Sequence, residues 1–255
     1  MTALPDIFLG VPLAHRALHD VSGGRPENSR AAIAAAIEAG YGIEIDVQLS
    51  SDGQAMVFHD YDLERLAEDR GPIHQRSSAD LSRVVLRGAA EGIPTLPDVL
   101  DLVAGRVPVL VEVKDQDGAM GANVGRLEQA VAKAVHGYDG PLALMSFNPH
   151  SVQQLAIHAP RVPRGITTSA YHASDWPLLP KGTRERLARI PDYDSLRASF
   201  ISHEVQDLAA PRVAELRDKG AAILCWTVRS AQQEAQARTV AHNITFEGYD
   251  AAHPA

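Results

Sequence analysis

The sequence predicts an α/β fold, a (β/α)₈ TIM barrel, and three observations carry the prediction. Eight apolar runs of strand length begin near residues 12, 43, 107, 142, 164, 200, 221 and 243. Helix-favouring segments stand between them, which makes the strands parallel and joined by crossovers. The chain has 255 residues, the size of one such barrel, and carries no repeat of about 20–50 residues that would point to a solenoid. The expected organisation is a single catalytic barrel domain over residues 1–255. A small inserted segment, 61–92, is expected over the barrel mouth after a hairpin on the second strand.

The elements follow in order. Val11 to Ala14 is a short apolar run that ends in His15-Arg16, and a polar, glycine-rich loop follows. Asn28 or Ser29 can cap a helix over Ala31 to Ala39, where Ile33 and Ile37 share a face and Gly40 is the stop. In the second strand Ile43, Ile45 and Val47 alternate with Glu44 and Asp46. Asp52-Gly53 is a tight-turn signal, and Ala55 to Phe58 returns to end in His59-Asp60. Residues 61–92 are charged and carry no long apolar period, so short helices at most are expected. A helix near Val99 to Val103 has Thr95 or Pro97 for its first turn.

The third barrel strand lies in Val107 to Lys114, with Val109, Val111 and Val113 on one face and Glu112 and Lys114 on the other. Further helices are expected at 123–136, 149–158, 210–219 and 231–238. The irregular stretch 171–197 is expected to carry one short helix near Arg184 to Arg189. Strands are expected at 142–147, ending in Ser146-Phe147, and at 164–168, 200–205, 221–228 and 243–247.

Composition narrows the function. The hydrophobic share of 45% supplies a large core, and a net charge of −8 with a pI near 5.7 disfavours a broad nucleic-acid surface. The one cysteine, Cys225, excludes an internal disulfide and fits a reducing compartment. The first residues lack the pattern of a signal peptide, and no apolar run is long enough to span a membrane. The expectation is a cytoplasmic protein without integral membrane association.

Chemistry belongs at the C-terminal ends of barrel strands. There the sequence places His15, Arg16, Glu44, Asp46, Glu112, Lys114, Ser146 and Trp226. Glu44 and Asp46 point the same way, about 7 Å apart along the strand. Two carboxylates on one face repel, and a divalent cation settles that repulsion. An amphipathic surface strand shows the same alternation. The hairpin also returns His59 towards this acidic pair.

The ordered set of His15-Arg16, PENS at 26–29, EIDVQLSSDG at 44–53, FHD at 58–60, IPTL at 93–96, VEVK at 111–114, Ser146-Phe147 and WTV at 226–228 resembles the glycerophosphodiester phosphodiesterase family over nearly the whole chain. The resemblance implies a barrel of the phospholipase C-like phosphodiesterase type. It further implies one divalent cation, Mg²⁺ or Ca²⁺ with Mn²⁺ as a third candidate, and hydrolysis of glycerophosphodiesters to glycerol 3-phosphate and an alcohol. By the same resemblance His15 and His59 are the catalytic pair, and Glu44, Asp46 and Glu112 are the metal ligands. Arg16 and Lys114 stand near the phosphate, and Trp226 lines the substrate end.

Four departures surround the mouth. Ala17 stands for the glycine of the family's His-Arg-Gly, and the loop from His15 to Pro26 is longer than usual. Arg65-Leu66-Ala67 stands for Arg-Thr-Thr, and Phe246-Glu247 for a closing Thr-Asp.

These residue types suit the chemistry. A hard cation on oxygen ligands neutralises a phosphodiester, Arg16 forks onto phosphate and Lys114 adds a point charge. Two imidazoles divide the proton transfers, one as base and one as acid. The expected partner is a small-molecule phosphodiester. Two rival readings use the same residues: a phospholipase D-like lyase releasing a cyclic phosphate, and a non-catalytic phosphate- or polyol-binding barrel. Glu204 reads as surface or structural, the remaining histidines as structural with His19 and His203 open to a place near the mouth, Phe147 as packing, and Glu27 and Asn28 as residues that fix the first helix and its loop.

Overall fold

The computed structural model describes residues 2–253; the ends of the expected domain, residue 1 and residues 254–255, lie outside the described residues. The strands are β1 (Leu13–Ala14), β2 (Gly42–Leu49), β3 (Ala55–Val57), β4 (Val109–Val113), β5 (Leu142–Ser146), β6 (Arg164–Thr168), β7 (Phe200–Glu204), β8 (Ala222–Val228) and β9 (Asn243–Phe246). The helices are α1 (Ile7–Gly10), α2 (Arg30–Glu38), α3 (Ser78–Leu81), α4 (Leu96–Val103), α5 (Arg126–Ala134), α6 (Pro149–His158), α7 (Lys181–Ala188), α8 (Pro211–Asp218) and α9 (Ala231–Ala237).

Eight strands pair in parallel in the order β1-β9-β8-β7-β6-β5-β4-β2, and pairing of β1 with β2 closes the barrel. β3 is the antiparallel return arm of the hairpin on β2, with Val47 opposite Val57. The parallel register aligns Asp46 with Glu112 and Glu204 with Trp226. Residues at such paired positions face the same side of the sheet.

Two apolar layers follow from strand parity. Leu13, Leu110, Phe200 and Leu224 fill the barrel floor, and Leu4 and Phe8 from the α1 region close it from below. Phe200 leaves no room for a side chain at Gly165, where a Cβ would lie 2.3 Å from its ring. Asn243 ties the plug down, donating from Nδ2 to the carbonyls of Phe8 and Val11 at 2.8 and 2.6 Å. Residues of opposite parity, including Ile43, Val111 and Ile223, pack against the helices.

The caps agree with the sequence chemistry. Ser29 Oγ accepts from the amide of Ala32, and Thr95 and Asp98 form a reciprocal capping box at the start of α4. α1 lies outside the expected elements. The expected helix at 123–136 begins later, because Gly125 has a φ of +121° and Glu128 folds back onto its amide. α7 begins at Lys181, three residues before its expected start, directly after Pro180.

Candidate active site

The C-terminal ends of the strands surround a cavity of 840 Å³ whose lining includes each residue to which the family resemblance gives a role: His15, Arg16, Glu44, Asp46, His59, Glu112, Lys114 and Trp226. Glu44 and Asp46 reach it from β2, and Glu112 and Lys114 from β4 and the residue after it. His15 and Arg16 follow β1, His59 follows β3, and Trp226 is on β8. Ser146 has the opposite parity and is not in this lining; its hydroxyl donates to the carbonyl of Val113 at 2.6 Å.

The carboxylates are the buried heart of the site. Glu44, Asp46 and Glu112 each offer an oxygen, and these oxygens lie within 4.8 Å of one another. Lys114 Nζ bridges Asp46 at 2.7 Å and Glu112 at 2.6 Å, and Arg16 Nε lies 3.7 Å from Asp46. Among the described residues the Glu44 carboxylate accepts only from the backbone amide of Arg16, at 2.9 Å. Burial, and then the charges of Asp46 and Glu112, push the Glu44 carboxyl well above the ordinary carboxylate range. Burial also opposes ionisation of Asp46, but Lys114, His59 and Arg16 outweigh it and hold that carboxyl low. Burial disfavours the Lys114 ammonium, yet Asp46 and Glu112 more than restore it.

Three carboxylates thus share two cationic side chains, and the least compensated, Glu44, resists ionising. A donor set made only of oxygens and one charge short fits a hard divalent cation. Glu27, His59 and Asp60 form a second close group of possible ligands. There Arg65 already compensates the charge, forking onto Asp60 at 2.6 and 2.7 Å and onto Glu27 at 2.9 Å to each oxygen.

Each candidate histidine touches a carboxylate through Nδ1. His15 Nδ1 lies 2.5 Å from Glu247 Oε2, and His59 Nδ1 lies 2.7 Å from Asp60 Oδ1. An ionised carboxylate only accepts, so Nδ1 carries the proton in both rings and Nε2 is left for chemistry. Burial lowers the His15 pKa and outweighs the hydrogen bond to Glu247. Burial also works against ionisation of Glu247, but His15, His19 and Arg229 hold its carboxyl far below the usual range.

The PENS turn supports the site residue by residue. Glu27 accepts from Arg16 Nη1 at 2.8 Å. Asn28 donates to Asp46 Oδ2 at 3.0 Å and accepts from the Asp46 amide at 3.2 Å. Its φ of +61° is a conformation that Asn tolerates better than most residues. Glu27 and Asn28 therefore fix Arg16 and Asp46 as well as the start of α2. Ala17, where the resembled family has glycine, has a φ of +66° with its methyl buried, and its amide donates to the carbonyls of Ala14 and Glu44.

The opposite wall is aromatic. Trp226 meets Phe147 edge-to-face at 5.4 Å, and Trp176 lies 5.0 Å from Phe147. Trp226 Nε1 donates to the Ser202 carbonyl at 3.0 Å, which fixes its ring. Phe147, read as packing, lines the cavity; its parity with Ala143 and Met145 was the available signal. Glu204, read as structural, lines the cavity too. His203 has the other parity and bonds to Thr168 and Asp207, outside the cavity lining.

This architecture recurs among solved structures. An Oleispira antarctica phosphodiesterase, solved in complex with its product sn-glycerol-3-phosphate, superposes with a TM-score of 0.74 at 23% identity, covering 93% of each chain. A glycerophosphodiester phosphodiesterase from Thermotoga maritima superposes with a TM-score of 0.68 at 21% identity, covering 92% of this chain and 94% of that one. At these identities the likeness is one of fold. In sequence, a glycerophosphodiester phosphodiesterase of Caldanaerobacter subterraneus subsp. tengcongensis is 28% identical over 59% of this chain, and the match spans 65% of that protein's length. An uncharacterised Bacillus subtilis protein is 32% identical over 61% of this chain, again across 65% of its own length. The sequence model of the glycerophosphoryl diester phosphodiesterase family matches residues 15–244, from the first candidate histidine into the last strand, and the chain belongs to that family.

Proposed function

We propose that this chain hydrolyses glycerophosphodiesters to sn-glycerol 3-phosphate and an alcohol, with one divalent cation and two histidines. The observation that carries the reading is the placement of two carboxylate-bound imidazoles and a buried trio of carboxylates on one cavity. Family membership and the relative named as a glycerophosphodiester phosphodiesterase support this substrate class.

Glu44, Asp46 and Glu112 would hold Mg²⁺ or Ca²⁺, with Mn²⁺ as a third candidate. When bound, the cation supplies charge neutralisation to the phosphoryl oxygens. Arg16 and Lys114 orient the diester anion, Arg16 as a planar fork and Lys114 as a point charge. His15, neutral because burial lowers its pKa, accepts the nucleophile's proton at Nε2. His59 delivers a proton from Nε2 to the leaving alkoxide. Trp226 walls the substrate end and excludes water there.

An apolar cluster in which Leu63, Ile73 and Leu81 pack with Met56 and Phe58 of the barrel hairpin, and with Ile93 just beyond the segment, supports reading residues 61–92 as a small insertion. These residues reach the cavity through Tyr61, Asp62, Glu64 and Arg65, so we assign this segment to selection of the alcohol within a single barrel domain. Among the described residues no helix is long and apolar enough to cross a membrane. The buried free thiol of Cys225 supports a reducing, cytoplasmic setting.

The test is turnover of glycerophosphocholine, glycerophosphoethanolamine and an aryl phosphodiester, after EDTA and with each cation restored. Metal-restored release of glycerol 3-phosphate is expected, with H15A and H59A each lowering kcat by about 10²–10⁴-fold. A cyclic phosphate product would instead establish the lyase chemistry. Binding of phosphate esters without turnover of any diester would establish a binding barrel.

A further inference from the structure

We propose that Glu247 is a positioning residue for His15, holding the imidazole in the tautomer and orientation the reaction needs; this rests on the hydrolase reading above. The two residues are 232 positions apart and meet because β1 and β9 pair. The His15 amide donates to the Phe246 carbonyl at 2.8 Å, so backbone and ring are both tied to the end of β9. Glu247 is itself fixed at each end. Its amide donates to the Val228 carbonyl at 3.0 Å, and Arg229 approaches Oε1 at 2.7 and 2.8 Å. Oε2 is left for His15 at 2.5 Å, with His19 Nε2 at 3.6 Å.

This division of the two oxygens is the basis of the assignment. An arginine side chain that is 61% exposed adds little stability through an ion pair. What it does is set the carboxylate plane so that Oε2 faces His15 Nδ1. A neutral imidazole ordinarily has two tautomers available, and a carboxylate at Nδ1 selects the one whose Nε2 lone pair accepts a proton. Loss of such a partner leaves the ring in place but in the wrong tautomer or rotamer, which lowers kcat more than it changes KM.

The test combines kinetics with imidazole NMR on the full chain. In wild type, long-range ¹H–¹⁵N spectra are expected to show His15 protonated at Nδ1, and E247Q is expected to remove that preference while keeping the fold. E247Q and E247A are expected to lower kcat about 100-fold or more with KM within about 3-fold, and E247D to recover at least about tenfold over E247A. E247Q with kcat within about 3-fold of wild type would overturn the proposal. So would a wild-type His15 without a proton on Nδ1. Should wild type turn over no diester, the hydrolase reading falls, and the spectra alone decide whether Glu247 sets the His15 tautomer.

Discussion

Lys114 stands where its removal has a calculable effect. Its ammonium is 2.7 Å from Asp46 and 2.6 Å from Glu112, and all three side chains are at most 15% exposed. Lys114→Met keeps an unbranched apolar stem and deletes the charge. Asp46 keeps Asn28 and the more distant Arg16, but Glu112 has no other side-chain partner among the described residues. Removing one member of a buried ion pair costs about 3–5 kcal/mol. For a chain of this length each kcal/mol moves Tm by about 2 °C, so the metal-free variant is expected to melt about 6–10 °C below wild type. A bound divalent cation replaces the missing charge, and the rise in Tm from EDTA to Ca²⁺ is expected to be larger in the variant than in wild type. The assay is thermal unfolding followed by circular dichroism in EDTA and in Ca²⁺. A variant that melts with wild type in EDTA would refute the claim that Lys114 compensates buried charge. An unchanged response to Ca²⁺ would refute the claim that the same carboxylates bind the cation.

Two further predictions concern the same cluster. Folded Glu44 holds its proton to a pH above the ordinary value of 4.5, so between those two pH values the folded state binds more protons than the unfolded one. Its contribution to stability is therefore present below 4.5 and lost as pH rises through the raised value. The Tm of metal-free wild type should fall relative to that of Glu44→Gln over this window. Saturating Ca²⁺ should remove the trend, and a pH-independent difference in EDTA would count against it. Asn28→Ala leaves the buried Asp46 amide and one carboxylate oxygen without their partner, at about 1–3 kcal/mol or about 2–6 °C in Tm. Thermal unfolding checks the stability, and calorimetric titration should show weaker Ca²⁺ binding because Asp46 is no longer held.

The structure divides what the sequence can say by the range of the interaction. Strand parity is local: in β2 and β4 each second residue is apolar against the helices, so the sequence reveals that Glu44, Asp46, Glu112 and Lys114 share the inner face. The same logic applied to β5 would have placed Phe147 at the cavity beside Met145 and turned Ser146 away from it. Helix ends were less legible because they depend on single backbone choices, such as the positive φ at Gly125. α1 carries no side-chain cap, and its role comes from Phe8 meeting the barrel floor, a contact with residues more than a hundred positions away.

The carboxylate partners of the candidate site histidines were not legible as partners, and the reason is physical. A carboxylate that orients an imidazole must approach Nδ1 from a direction set by the backbone of another loop, so no spacing rule connects the pair. Asp60 is adjacent to its histidine and Glu247 is 232 positions from its own, yet both present one carboxylate oxygen at 2.5–2.7 Å and are held by an arginine. Opposite sequence contexts converge on the same local chemistry. That convergence is what two imidazoles require if each must keep Nε2 free while standing beside a buried cluster of negative charge. In sequence Glu247 stands out only as a departure from the resembled family's closing Thr-Asp; in three dimensions its carboxylate lies on His15. Substitutions at the mouth of this barrel are therefore better judged by the atom they deliver than by the residue they replace.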